Sequence, residues 1–150
     1  MLGLAAYVIV QAGSLAGKPA PDFEVRGAYG GRVELSSYRG QPLLVVFWTT
    51  SCGICRYALP VIDRIGAEYP GLEILAVNIG DAEGAREFVS ESRLRLNCAV
   101  DESGEVAQRY GVRGVPKLVM IGRDGKVSQV LNGSRNDDAL RRWIAGALAD

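Results

Sequence analysis

Leu43 to Trp48 (LLVVFW) is an unbroken apolar run of strand length, and a run with no polar alternation belongs to a strand covered on both faces. Leu72 to Ile79 (LEILAVNI) is a second buried strand of the same kind. Between them Ile54, Ala58, Leu59, Ile62 and Ile65 recur at helical spacing. Cys52 to Tyr69 is therefore predicted as a helix, kinked at Pro60, which has no backbone N–H to donate. A further helix, Ala82 to Ser92, completes a β-α-β-α run that favours a parallel sheet with right-handed crossovers. The fold class is α/β.

Shorter elements flank this centre. Phe23 to Arg26 and Arg32 to Leu35 predict a β-hairpin around Gly27-Ala28-Tyr29-Gly30-Gly31, followed by a tight turn at Ser36 to Gly40. Cys98 to Val100 reads as a short strand and Glu102 to Tyr110 as a helix. Lys117 to Ile121 and Val127 to Leu131 form a hairpin around Gly122-Arg123-Asp124-Gly125. Ser134 or Asn136 then caps a last amphipathic helix through Leu140, Trp143, Ile144 and Leu148.

With 150 residues, 48% of them hydrophobic, the chain suits one domain with one sizeable core. The two prolines of Gly17 to Asp22 mark a linker, giving an N-terminal segment 1–20 and a domain 21–150. Met1 to Gly17 carries no charge, and its apolar run Leu2 to Val10 is shorter than the roughly 20 residues of a spanning helix. It also lacks the cationic start of a complete signal peptide. Two readings fit: a remnant of a signal or membrane anchor, or a first helix or strand packed on the domain.

Charge and composition exclude several functions. Cations and anions number 17 each, so no global field attracts nucleic acid or an anionic membrane. No histidine is present, which removes a histidine-dependent triad and histidine-bearing zinc or copper sites. Three cysteines are too few for a disulfide-stapled framework.

Two of those cysteines, Cys52 and Cys55, stand where the buried strand turns into the helix. Unpaired N–H groups and the positive end of the helix dipole make Cys52 partly thiolate near neutral pH, hence nucleophilic. Cys55, one turn on and on the same face, resolves a mixed disulfide formed at Cys52. Zinc would need two more cysteines or histidines, and only Cys98 remains. A purely structural bridge is the other alternative, yet so small a loop constrains little unfolded-chain entropy. Thiol-disulfide exchange, which needs no cofactor and no metal, is the better account.

Several separated motifs carry a resemblance: Pro21-Asp22-Phe23, Phe47-Trp48 ahead of Cys52, Pro60 after Cys55, and Gly111-Val112-Arg113-Gly114-Val115-Pro116 before the final hairpin. In this order they resemble the thioredoxin superfamily, and within it the TlpA/ResA-like thiol-disulfide oxidoreductases. The resemblance implies a thioredoxin fold, a central mixed sheet flanked by helices with an N-terminal β-hairpin extension. It implies a cis bond at Val115-Pro116 beside the cysteine pair, with Val115 offering its backbone to an extended substrate segment. Trp48, Val115 and Pro116 are accordingly the expected substrate-binding residues. It implies protein disulfide or dithiol substrates, an upstream thiol reductant that is membrane-bound or soluble, a monomer, and an extracytoplasmic location. Clients such as apocytochrome c or copper-site assembly proteins follow from the same likeness.

The sequence departs from the pattern it resembles at three places. Val46 stands where thioredoxin has a buried acid, and the ResA-like pattern offers Asp81, in Asn78-Ile79-Gly80-Asp81, as the proton acceptor for Cys55 through a partly buried carboxylate. The other reading of Asp81 is a cap for the helix at Ala82; Glu83 is the weaker substitute. Ser51 replaces a common tryptophan, and Lys117 a common threonine. Lys117 reads as a solvated strand lysine rather than an inward cation, and Cys98 as a small buried hydrophobe rather than a third redox thiol. The competing functions are a peroxiredoxin-like peroxidase, suggested by Thr49-x-x-Cys52 but opposed by Val45 at a proline position, and a redox-inactive or copper-binding adaptor of the same fold.

Overall fold

Seven strands form one sheet in the order β2-β1-β5-β4-β3-β6-β7 in the computed structural model, which describes residues 15–149. Strand β1 (Glu24–Gly27) and β2 (Arg32–Glu34) are the opening hairpin, and a 3-10 turn at Leu35–Tyr38 follows. Strand β3 (Leu43–Trp48) is central, with all six residues buried, as a run without polar alternation requires. It pairs in parallel with β4 (Glu73–Ile79), which pairs in parallel with β5 (Asn97–Asp101). On its other side β3 pairs antiparallel with β6 (Lys117–Ile121), which pairs with β7 (Val127–Asn132). The sheet is mixed, with helices on both faces.

The two-residue alternation of the central strands sorts the core into two layers. Leu44, Val46 and Trp48 face Ala58, Leu59 and Ile62 of helix α1 (Gly53–Gly66), Phe88 of α2 (Ala82–Glu91), and Leu140 and Ile144 of α4 (Asp137–Ala149). Leu43, Val45 and Phe47 face Phe23, Val106 and Tyr110 on the opposite side, where α3 (Glu105–Arg109) packs. Tyr110 is fully buried, and its hydroxyl donates to Pro21 O at 2.6 Å.

Local chemistry explains where the elements begin. Helix α3 starts three residues later than expected because the buried Asp101 carboxylate accepts the N–H groups of Val106 and Ala107 at 3.3 and 2.8 Å. The intervening turn passes through Gly104 at φ 78°, a left-handed conformation that glycine adopts without a Cβ clash. Of the two candidate caps for α4, Asn136 is the one used, with Oδ1 accepting Ala139 N at 2.8 Å.

The tract expected as a linker is docked. Gly17 N donates to Val127 O, Val127 N to Lys18 O and Ala20 N to Gly125 O, so these residues run along the β6–β7 hairpin. Backbone pairing of this kind depends little on side chains, and the prolines concealed it. The expected apolar run Leu2 to Val10 lies outside the described residues. Among those described, no helix is long and apolar enough to cross a membrane.

Candidate active site

Helix α1 begins at the mouth of the β3–α1 connection, and its first turn holds the two sulfurs. Cys52 is the N-cap, with extended backbone, and its Sγ accepts the N–H of Cys55 at 3.1 Å. This places a sulfur where a cap side chain normally supplies an oxygen, against the unpaired donors and positive pole of the helix. Cys52 and Cys55 form a disulfide with Cα atoms 5.2 Å apart. Their exposure differs: Cys52 is half-buried, whereas Cys55 has no exposed surface and belongs to the core layer under α1.

The Val115–Pro116 peptide bond is cis, and the bend brings Val115 O to 3.9 Å from Cys52 Sγ. Pro116 is buried and Val115 half-buried. Cys52, Cys55, Val115 and Pro116 thus come together from separate parts of the chain, as the motif order implied.

Other residues are placed differently from expectation. Trp48 was expected at the substrate surface, but it has no exposed area; its ring lies 5.3 Å from that of Phe88 in the core layer that contains Cys55. It is an inward residue of β3 and a support for the pair. Asp81 is exposed rather than partly buried, and its carboxylate accepts Gly84 N at 3.0 Å as the cap of α2. Lys117 is not solvated. It is 5% exposed, and its ammonium donates to Tyr110 O and Gly111 O at 3.0 and 3.2 Å. Burial, reinforced by the charge of Arg113, lowers its pKa from the ordinary lysine value. Two carbonyls left at the end of α3 provide the reason for an inward ammonium.

Asn78 was missed. It is fully buried at the end of β4, beside Trp48 in register, and it donates to Thr50 Oγ1 at 3.2 Å while its own Oδ1 accepts Asp81 N at 2.9 Å. It ties the loop carrying Cys52 to the start of α2. A polar residue at an inward position of an otherwise apolar strand was the signal available in the sequence.

Cys98 is half-buried on β5, and burial pushes its thiol up to about 12 from an ordinary 9.0. The folded protein therefore retains this proton where the unfolded chain has lost it. Stability from this group is complete below pH 9 and falls as pH rises from 9 towards 12. Urea unfolding midpoints measured from pH 8 to 10.5 are expected to fall more steeply for the parent than for Cys98→Ala; parallel slopes would refute a buried, proton-retaining thiol.

The comparisons with known proteins agree with this geometry. The family model described as AhpC/TSA matches residues 16–130. The ResA thiol-disulfide oxidoreductase of Bacillus thuringiensis subsp. konkukian is 31% identical over 131 residues, covering 85% of this chain and 76% of the relative. The chain belongs to the AhpC/TSA family, as a ResA-like thiol-disulfide oxidoreductase. A ResA from Geobacillus thermodenitrificans is 30% identical, with 85% of this chain and 75% of the relative covered. Among solved structures, a protein assigned as thiol:disulfide interchange protein DsbE from Chlorobium tepidum has a TM-score of 0.80 at 34% identity, covering 88% of this chain and 96% of its own. The thioredoxin fold is thus shared with that DsbE-like structure, and the Cys52–Cys55 disulfide of this chain is the redox pair a thiol-disulfide oxidoreductase requires.

Proposed function

We propose that this ResA-like oxidoreductase works as a reductant of protein disulfides outside the cytoplasm, with Cys52 attacking and Cys55 resolving. The observation that carries the division of labour is the contrast between a reachable Cys52 and a wholly buried Cys55 in one helical turn. In the reduced protein the Cys52 thiolate attacks one sulfur of a client disulfide. The client S–S bond breaks, a mixed disulfide forms, and the departing client thiolate takes a proton from water. Cys55 then gives up its proton to water, which passes it to the leaving client sulfur, and the Cys55 thiolate attacks Cys52 Sγ. The second client thiolate leaves, two electrons have passed to the client, and the pair is restored by an upstream dithiol.

Val115 and Pro116 serve this reaction as the backbone edge along which an extended client segment lies. Asp81 acts as a positioning residue: its carboxylate caps α2 at Gly84 N, and its backbone N–H donates to Asn78, which in turn donates to Thr50. Asp81→Asn, which keeps the cap acceptor and removes the titrating group, is expected to leave the pH profile of turnover in place. Loss of one limb of that profile would instead make Asp81 the proton acceptor.

Location and clients follow the relatives. A solved Mycobacterium tuberculosis homologue of DsbE is described as secreted, and the ResA-like resemblance supports clients such as apocytochrome c or copper-site assembly proteins. Equilibrating the Cys52–Cys55 couple with glutathione tests the direction: a potential well below about −200 mV is expected, and one near −120 mV would make the protein an oxidant. Peroxide consumption without insulin reduction, in a thiol-regenerating assay, would favour a peroxidase.

A further inference from the structure

Three large hydrophobic side chains stand exposed among the described residues, and two of them lie on α1 within five residues after Cys52. Ile54 is 60% exposed and Tyr57 73%, both on α1 just after Cys52. Tyr57 also lines a cleft with Val61 of α1, Leu131 of β7, and Gly133, Ser134 and Arg135 of the β7–α4 connection. The cleft lies on the β6–β7 side of β3, whereas Asp81 and Glu83 follow β4 on the other side.

The charges on the Tyr57 side that are left unpaired are of one sign. Arg135 lies in the cleft and Arg113 two residues before Val115, whereas Arg56 turns to the other side, 4.7 Å over the Phe88 ring of α2. Neither Arg135 nor Arg113 pairs with a carboxylate among the described residues. Arg135 donates only to backbone carbonyls, Asn132 O and Ser134 O. The nearby acids at the start of α4 are occupied, Asp137 by Arg64 and Asp138 by Arg141. In a chain of zero formal net charge, the face joining Val115 to Tyr57 is therefore both apolar and uncompensated cationic.

We propose that this face selects its protein partner by docking an extended segment that is acidic and apolar. The segment crosses Val115 and Cys52, packs a large apolar side chain on Tyr57 at the mouth of the cleft, and sets carboxylates against Arg113 and Arg135. The proposal rests on the reading that the dithiol reacts with protein disulfides, and it adds which ones. Continuity with the sulfur fixes the location, because any partner joined to Cys52 must cover the surface next to it. Rim charges of this kind act through encounter rate and partner discrimination, and salt weakens them.

The test uses the reduced protein and disulfide-bridged peptides of one sequence whose flanking positions are Glu, Gln or Lys. The uncharged small disulfide 4,4'-dithiodipyridine reports the bare chemistry. The Glu peptide is expected to exceed the Lys peptide in kcat/KM by about tenfold at low salt, with the gap narrowing in 0.5 M salt to roughly threefold or less. Charge reversal by Arg113→Glu with Arg135→Glu should invert the order, and Arg26→Glu, on the distant hairpin, should keep it. Tyr57→Ser should remove the advantage of Leu over Gly beside the peptide cysteine. Equal rates for Glu and Lys peptides, with dithiodipyridine still reduced, overturn the docking proposal alone. So does an equal effect from Arg26→Glu, which would reduce the matter to net charge. Failure to reduce dithiodipyridine overturns the dithiol reading itself.

Discussion

Cys52→Ser is expected to lower turnover of any disulfide substrate by at least about 10³-fold, while Cys55→Ser halts the same reaction halfway with the client attached. The reasons lie in what each sulfur faces. Cys52 is the half-buried cap of α1 and receives the Cys55 N–H, an arrangement that favours the anion once the bridge is reduced. A serine hydroxyl there has far too little anion near neutral pH to attack a disulfide. Cys55 has no exposed surface, so an external disulfide cannot reach it and it cannot take over the attack. In Cys55→Ser the first step survives, but the buried hydroxyl cannot displace the client from Cys52. Intact-mass measurement after mixing with a disulfide client should therefore show one client-sized adduct on Cys55→Ser, released by a small thiol, and none on Cys52→Ser. An adduct on Cys52→Ser would reverse the roles of the two sulfurs.

Legibility followed physical cause. Strand β3 coincides with its expected bounds, because an unbroken apolar run leaves a buried strand little freedom in where it starts and stops. The cysteine pair was legible because spacing and the strand-to-helix junction are local properties. The start of α3 was not, since it is set by the Asp101 carboxylate reaching across to Val106 and Ala107. The fate of Lys117 was equally hidden. A lysine in a strand looks solvated unless one knows that the carbonyls of Tyr110 and Gly111 converge on its ammonium. Asn78 was quoted only within the motif leading to Asp81, yet it is the buried residue that links the Cys52 loop to α2. Tertiary hydrogen bonds by buried polar groups are what a linear reading resolves least.

Trp48→Ala carries the largest expected loss of stability, about 3–5 kcal/mol, against a total of roughly 5–15 kcal/mol for a domain of this kind. Trp48 is wholly buried at the end of the central strand, its ring tilted 50° to that of Phe88 and packed in the layer that holds Cys55. Truncation opens a cavity between β3 and α2 whose walls are fixed by the sheet. Trp48→Phe is expected to cost well under half as much. It keeps an aromatic ring against Phe88, and the lost indole Nε1 has no hydrogen-bond partner among the described residues, so no acceptor is orphaned. Urea unfolding of the three oxidised proteins gives both values. The comparison also decides between two roles for Trp48. A residue lying on the substrate surface would alter client KM and leave the unfolding midpoint nearly unmoved. A residue supporting the pair from below loses several kcal/mol on truncation, and the phenylalanine variant recovers most of it.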